Sequence, residues 1–106
     1  MTKIIYTRFP KAGITFEGHS CAPRTNGADL CCAGVSMLVC TFLKRLEELR
    51  LKDKCILYND GYAKGEFSPR GKEGRQGMEL MDTILTGLWL IKERYPDYIT
   101  IQGGKK

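Results

Sequence analysis

Histidine is nearly absent from this chain: one occurs in 106 residues, at position 19. Any imidazole chemistry therefore falls to His19. Long apolar runs are missing too, and none approaches the roughly 20 residues that a membrane-spanning helix requires. The first residues, MTKIIYTRF, interrupt their apolar stretch with Thr7 and Arg8 and offer no small-residue cleavage site, so they do not read as a secretory signal. There is no internal repeat and no linker, and residues 1–106 are expected to form a single domain. The five cysteines, at positions 21, 31, 32, 40 and 55, are odd in number and come without a signal. That pattern argues against a disulfide framework and for reduced thiols in a soluble, cytoplasmic protein with no membrane partner.

What is present is an ordinary globular composition, with 42% hydrophobic and 27% charged residues. A chain of this size buries roughly two-thirds of its unfolded surface, so it needs neither metal nor disulfide to fold. The formal net charge of +5 is compatible with an acidic or ribosomal partner, but speaks mostly to solubility and steering.

Hydrophobic patterning gives the element order β-β-α-β-β-α-β. Residues 3–9 and 14–17 alternate around the turn residues Pro10 to Gly13 and read as a hairpin. Residues 18–29 carry turn formers and no apolar period, and are expected to form a loop. Asp29 is expected to cap a helix running to about Arg50, with Val35, Leu38, Val39, Phe42, Leu46 and Leu49 on one face. Residues 54–58 and 62–68 form a second predicted hairpin across Asn59-Asp60-Gly61. Residues 69–77, rich in glycine and charge, read as a connector. A second helix is expected from Met78 to Tyr95, stopped by Pro96, and a last strand from Tyr98 to Ile101. The fold class is α+β, two helices on one face of a mainly antiparallel sheet.

Chemistry concentrates where the loop meets the first helix. With Asp29 as cap, Leu30, Cys31 and Cys32 occupy the first turn, where unpaired backbone N–H groups and the positive end of the helix dipole stabilise a thiolate. Helical phase separates the two thiols. Cys31 points about 40° from Val35, inside the apolar face, and is expected to be a small buried hydrophobe. Cys32 points about 60° to the other side, at the border of that face, where a substrate can reach it. Cys40 and Cys55 read as structural. Cys21 is open to three readings: a surface thiol, a redox partner of Cys32, or half of a metal site with His19. His19 itself is either a solvated loop side chain or the base that serves Cys32.

The stretch Gly18-His19-Ser20, followed by Gly27-Ala28-Asp29-Leu30-Cys31-Cys32-Ala33-Gly34-Val35-Ser36, resembles the signature of the Prp family of ribosomal-processing cysteine proteases. That signature is Gly-His-small, a variable loop, then Gly-x-Asp-x-x-Cys-Ala and a serine one turn on. The resemblance extends over nearly the whole chain. It implies a cysteine endopeptidase with His19 and Cys32 catalytic, Asp29 orienting the site or only capping the helix, and Ser36 lining the pocket or only packing. It implies no cofactor, no metal and a homodimer, for which Met37 and Cys40 on the outer helix surface are suited. The implied substrate is the short N-terminal extension of large-subunit ribosomal protein twenty-seven, cut after paired aromatics. A phage capsid or scaffold protein bearing a similar sequence is the other implied substrate. The sequence departs from the pattern at Cys21, Pro23 and Cys31.

Two rival readings are distinguishable. A noncatalytic ribosome- or RNA-associated module suits the charge, but the chain has neither a Gly-x-x-Gly clamp between helices nor an aromatic-rich RNA-binding strand, so no direct nucleic-acid contact is expected. A metal site from His19, Cys21 and the Cys31–Cys32 pair is disfavoured, because adjacent helical residues point about 100° apart and rarely share one tetrahedral ion.

Overall fold

A computed structural model describes residues 2–18, 28–59 and 61–103. The elements are β1 (Thr2–Thr7), β2 (Ala12–Glu17), α1 (Ala28–Glu48), β3 (Cys55–Asn59), β4 (Tyr62–Phe67), α2 (Gly71–Arg94) and β5 (Ile99–Gly103). This is the order expected from the sequence. The strands form one sheet in the order β3-β4-β2-β1-β5. Every pairing is antiparallel except that of β1 with β5. Parallel neighbours need a long crossover, and here the chain between β1 and β5 holds both helices.

Alternation along the strands decides which face is covered. Ile4 lies opposite Phe16 and Ile101, Ile14 opposite Gly65, and Ala12 opposite Phe67. Ile4, Ile14, Phe67 and Ile99 are fully buried on that face, each contributing about 1.5–3 kcal/mol by burial. From α1, Val35, Val39, Phe42 and Leu46 pack onto it, and from α2, Met81, Ile84, Leu85 and Leu88. The helices touch each other where Gly34 meets Ile91 and Gly87 meets Leu38. α1 covers β4 and β3, whereas α2 covers β5 and β2.

Two sequence expectations need correction. The segment 69–77 is not a connector: α2 begins at Gly71, seven residues before the expected Met78. Glycine is a poor helix former in isolation, which is why the segment read as loop. Gly74 and Gly77 are instead buried helical residues. A methyl on Gly74 would stand 2.6 Å from the Pro69 carbonyl oxygen and 2.8 Å from that of Ser68, and one on Gly77 would stand 2.5 Å from the Phe67 ring. Bare backbone lets α2 sit directly on the end of β4, and that packing outweighs the propensity cost of about 1 kcal/mol per glycine. The second correction concerns Asp29. α1 opens at Ala28, so Asp29 is its second residue rather than the cap preceding it, a shift within the usual uncertainty of helix ends. At the other end the Lys54 ammonium donates to the carbonyls of Glu47 (3.1 Å) and Leu49 (2.9 Å), satisfying carbonyl groups where α1 ends.

Candidate active site

The first half of α1 lies over the tip of the β3–β4 hairpin, and between them is a cleft of about 100 Å³. Its helix wall is Cys32, Val35, Ser36 and Val39, which recur at the i, i+3, i+4, i+7 spacing of one helical face. Phe16, Ala63 and Thr2 form the sheet side, and Tyr58, Asn59, Gly61 and Tyr62 form the hairpin rim. None of these side chains carries a formal charge. The described part of the cleft therefore offers a neutral, partly apolar lining.

The thiols sort as helical phase required. Cys31 is fully buried in the core, while Cys32 is half-buried and opens into the cleft. Cys40 is exposed and Cys55 half-buried on β3. Because α1 opens at Ala28, Cys32 is its fifth residue and stands at the start of the second turn, not within the first turn as the sequence suggested. Helical side chains tilt toward the N-terminus, so the Cys32 thiol still leans over the first turn, whose backbone N–H groups have no partner inside the helix.

Ser36, one turn beyond Cys32, is exposed and lines the same cleft. His19 and Cys21 lie outside the described residues, as does most of the loop between β2 and α1. Gly18, the neighbour of His19 in sequence, does line the cleft. Its φ of 82° is a left-handed conformation that glycine adopts without strain. Its N–H donates to the Gly61 carbonyl at 2.8 Å, tying the end of β2 to the hairpin tip. Among the described residues, no three His, Cys, Asp or Glu side chains gather as a metal site would need.

Sequence reasoning missed Thr2 and the whole hairpin rim. Tyr58, Asn59, Gly61 and Tyr62 reach Cys32 only because β4 pairs with β2, with Glu17 opposite Tyr62. No local pattern announces that pairing. The one available signal was the Asn-Asp-Gly turn, which locates a hairpin tip but not its neighbour.

The solved structures similar to this chain carry the same fold. One is a ribosomal processing protease, Prp, from Staphylococcus aureus, bound to a covalently linked product peptide. It is 22% identical with a TM-score of 0.78, over 98% of this chain and 100% of that one. The same enzyme with a substrate peptide gives 21% identity, a TM-score of 0.78 and the same coverage. SMU.848 from Streptococcus mutans gives 20% identity and a TM-score of 0.70, over 99% of this chain and 93% of that one. No curated protein matches the chain. The family model described as Cysteine protease Prp matches residues 1–100. With a thiol opening into a cleft near the start of α1 and that match over nearly its full length, the chain belongs to the Prp family of cysteine proteases.

Proposed function

We propose that this cysteine protease removes the short N-terminal extension of a large-subunit ribosomal protein, of the twenty-seven type, with Cys32 as nucleophile and His19 as acid and base. The observation that carries the reading is the half-buried Cys32 in a cleft whose described lining is uncharged, beside exposed Tyr58. An extended, apolar peptide fits such surroundings, and the S. aureus structures of this fold hold product and substrate peptides.

In this scheme His19 takes the proton of the Cys32 thiol and the sulfur attacks the scissile carbonyl carbon, forming a C–S bond and a tetrahedral oxyanion. The N–H groups of the first turn, at Ala28, Asp29 and Leu30, which have no partner inside the helix, supply donors on the side toward which the thiol leans. The C–N bond then breaks, and the departing amine takes its proton from His19. Water then gives a proton to His19 and attacks the thioester carbon; the C–S bond breaks, His19 returns that proton to the sulfur, and the new acid leaves and ionises to the carboxylate. Asp29 acts within this first turn by orienting the site, and Ser36 by lining the pocket. The reaction takes place in the cytoplasm.

The test is cleavage of a fluorogenic peptide spanning the extension junction. Wild type is expected to cut it, and Cys32→Ala and His19→Ala are expected to fall to background while remaining folded. Undiminished cutting by Cys32→Ala would refute the assignment. A capsid-derived peptide, run beside the ribosomal one, decides between the two substrates by their kcat/KM ratio. A homodimer across the outer helix surface belongs to the same reading: Met37, at 67%, and Cys40 are exposed there. Light scattering that returns only monomer would remove it.

A further inference from the structure

β3 is an edge of the sheet, paired with β4 on one side and with no other described strand. The Gly18–Gly61 hydrogen bond fixes how the amides of β4 alternate. Gly61, Ala63 and Gly65 turn their backbone groups to β2, so Tyr62, Lys64 and Glu66 turn theirs to β3. The register sets those three opposite Asn59, Leu57 and Cys55. Ile56 and Tyr58 are left with N–H and C=O pointing away from β4, on an edge that no described strand pairs. Proteins usually blunt such an edge with charge, proline or a bulge. Between Cys55 and Asn59 there is neither charge nor proline, and Leu57 and Tyr58 are 45% and 66% exposed.

The position of Cys32 gives this edge a purpose. On α1, Gly34 and Leu38 face α2, while Cys32 and Ser36 lie about 160° and 200° around the helix from Gly34. They occupy the flank turned away from α2. Since α1 covers β4 and β3, that flank is the β3 side. A strand added to β3 would run about 4.8 Å outside it, along the same flank, and Tyr58 already shares the cleft with Cys32.

We propose that the polypeptide substrate binds as an added β-strand on the free edge of β3, hydrogen-bonded to the backbone of Ile56 and Tyr58, so that its scissile bond is drawn past Cys32. The occupant is the extended, uncharged segment adjoining the cleavage site, because the edge runs without a break into the cleft where cleavage occurs. Such pairing supplies affinity through main-chain bonds and leaves side-chain choice to alternate pockets. This inference rests on the peptidase reaction proposed above.

The probe is the junction peptide N-methylated at every second amide, in the two possible phases, on either side of the scissile bond. One phase is expected to lose about tenfold or more in kcat/KM, as the removal of two backbone hydrogen bonds predicts, and the other to stay within about twofold. Equal cutting of both phases overturns the inference. Ile56→Pro removes an outward N–H that β4 does not use. It is expected to raise KM while Cys32 is alkylated by iodoacetamide, followed by mass spectrometry, at the wild-type rate. A variant with wild-type alkylation and wild-type KM also overturns it. Failure of wild type to cut the unmethylated peptide is a different outcome. It refutes the ribosomal substrate, and this inference falls with it.

Discussion

Gly74→Ala is a substitution for which helix propensity and packing disagree in sign. Gly74 is the fourth residue of α2, and by propensity alone an alanine there would stabilise the helix by about 1 kcal/mol. The added methyl would nevertheless press on the Pro69 carbonyl carbon and stand 2.6 Å and 2.8 Å from the carbonyl oxygens of Pro69 and Ser68. These are backbone atoms, with no rotamer to move aside. Relief requires the first turn of α2 to lift from the end of β4, where Phe67 is fully buried against Gly77. Overpacking of this kind costs about 1–3 kcal/mol, and contact with backbone belongs at the upper end. Subtracting the propensity gain leaves a net loss of about 1–2 kcal/mol. For a chain of this size that lowers Tm by roughly 5–10 °C.

Thermal unfolding followed by far-UV circular dichroism reads the change directly. Gly87→Ala is the internal comparison: its methyl would meet Leu38 methyl groups at 3.0 and 3.1 Å, and these can rotate away. Crowding and propensity there should nearly cancel, leaving Tm within about 3 °C of wild type. A Gly74→Ala protein as stable as wild type, or more stable, would show that the first turn of α2 is not seated on Ser68 and Pro69.

Three further substitutions separate structural from chemical roles. Cys31→Ala empties part of a fully buried site and should cost about 1–2 kcal/mol in urea unfolding while peptide cleavage persists. Cys32→Ala should show the reverse, and loss of cleavage in Cys31→Ala at full stability would exchange the two assignments. Lys54→Met leaves the carbonyls at the end of α1 without their ammonium donor and should lower stability by about 0.5–1 kcal/mol, less at high salt. An unchanged unfolding midpoint would show that solvent serves those carbonyls equally well. Tyr58→Ala removes an exposed aromatic from the cleft rim and should raise KM for the junction peptide severalfold at unchanged kcat. A fall in kcat alone would give Tyr58 a role in chemistry instead of binding.

How much of this was legible in the sequence depends on the range over which each signal acts. The alternation of Ile4, Ile14 and Phe16, and the helical spacing of Val35, Val39, Phe42 and Leu46, are local patterns that burial must respect. The strands and the core helix faces followed from them. The same phase rule separated buried Cys31 from half-buried Cys32, since neighbouring helical residues differ by about 100°. The start of α2 was illegible because glycine carries two opposite meanings: weak helix former, and the one residue that permits close contact. Only the position of Pro69 and Phe67 beside Gly74 and Gly77 selects the second. The hairpin wall of the cleft was illegible for a deeper reason. Tyr58 and Cys32 stand far apart in sequence, and they share a cleft through the β2–β4 pairing and the Gly18–Gly61 bond. A one-residue slip of that register would turn either Phe16 or Ala63 to the uncovered face, according to which strand slips. The thiol is thus announced by its helix, but the surface that would present a peptide to it depends on how the two hairpins meet.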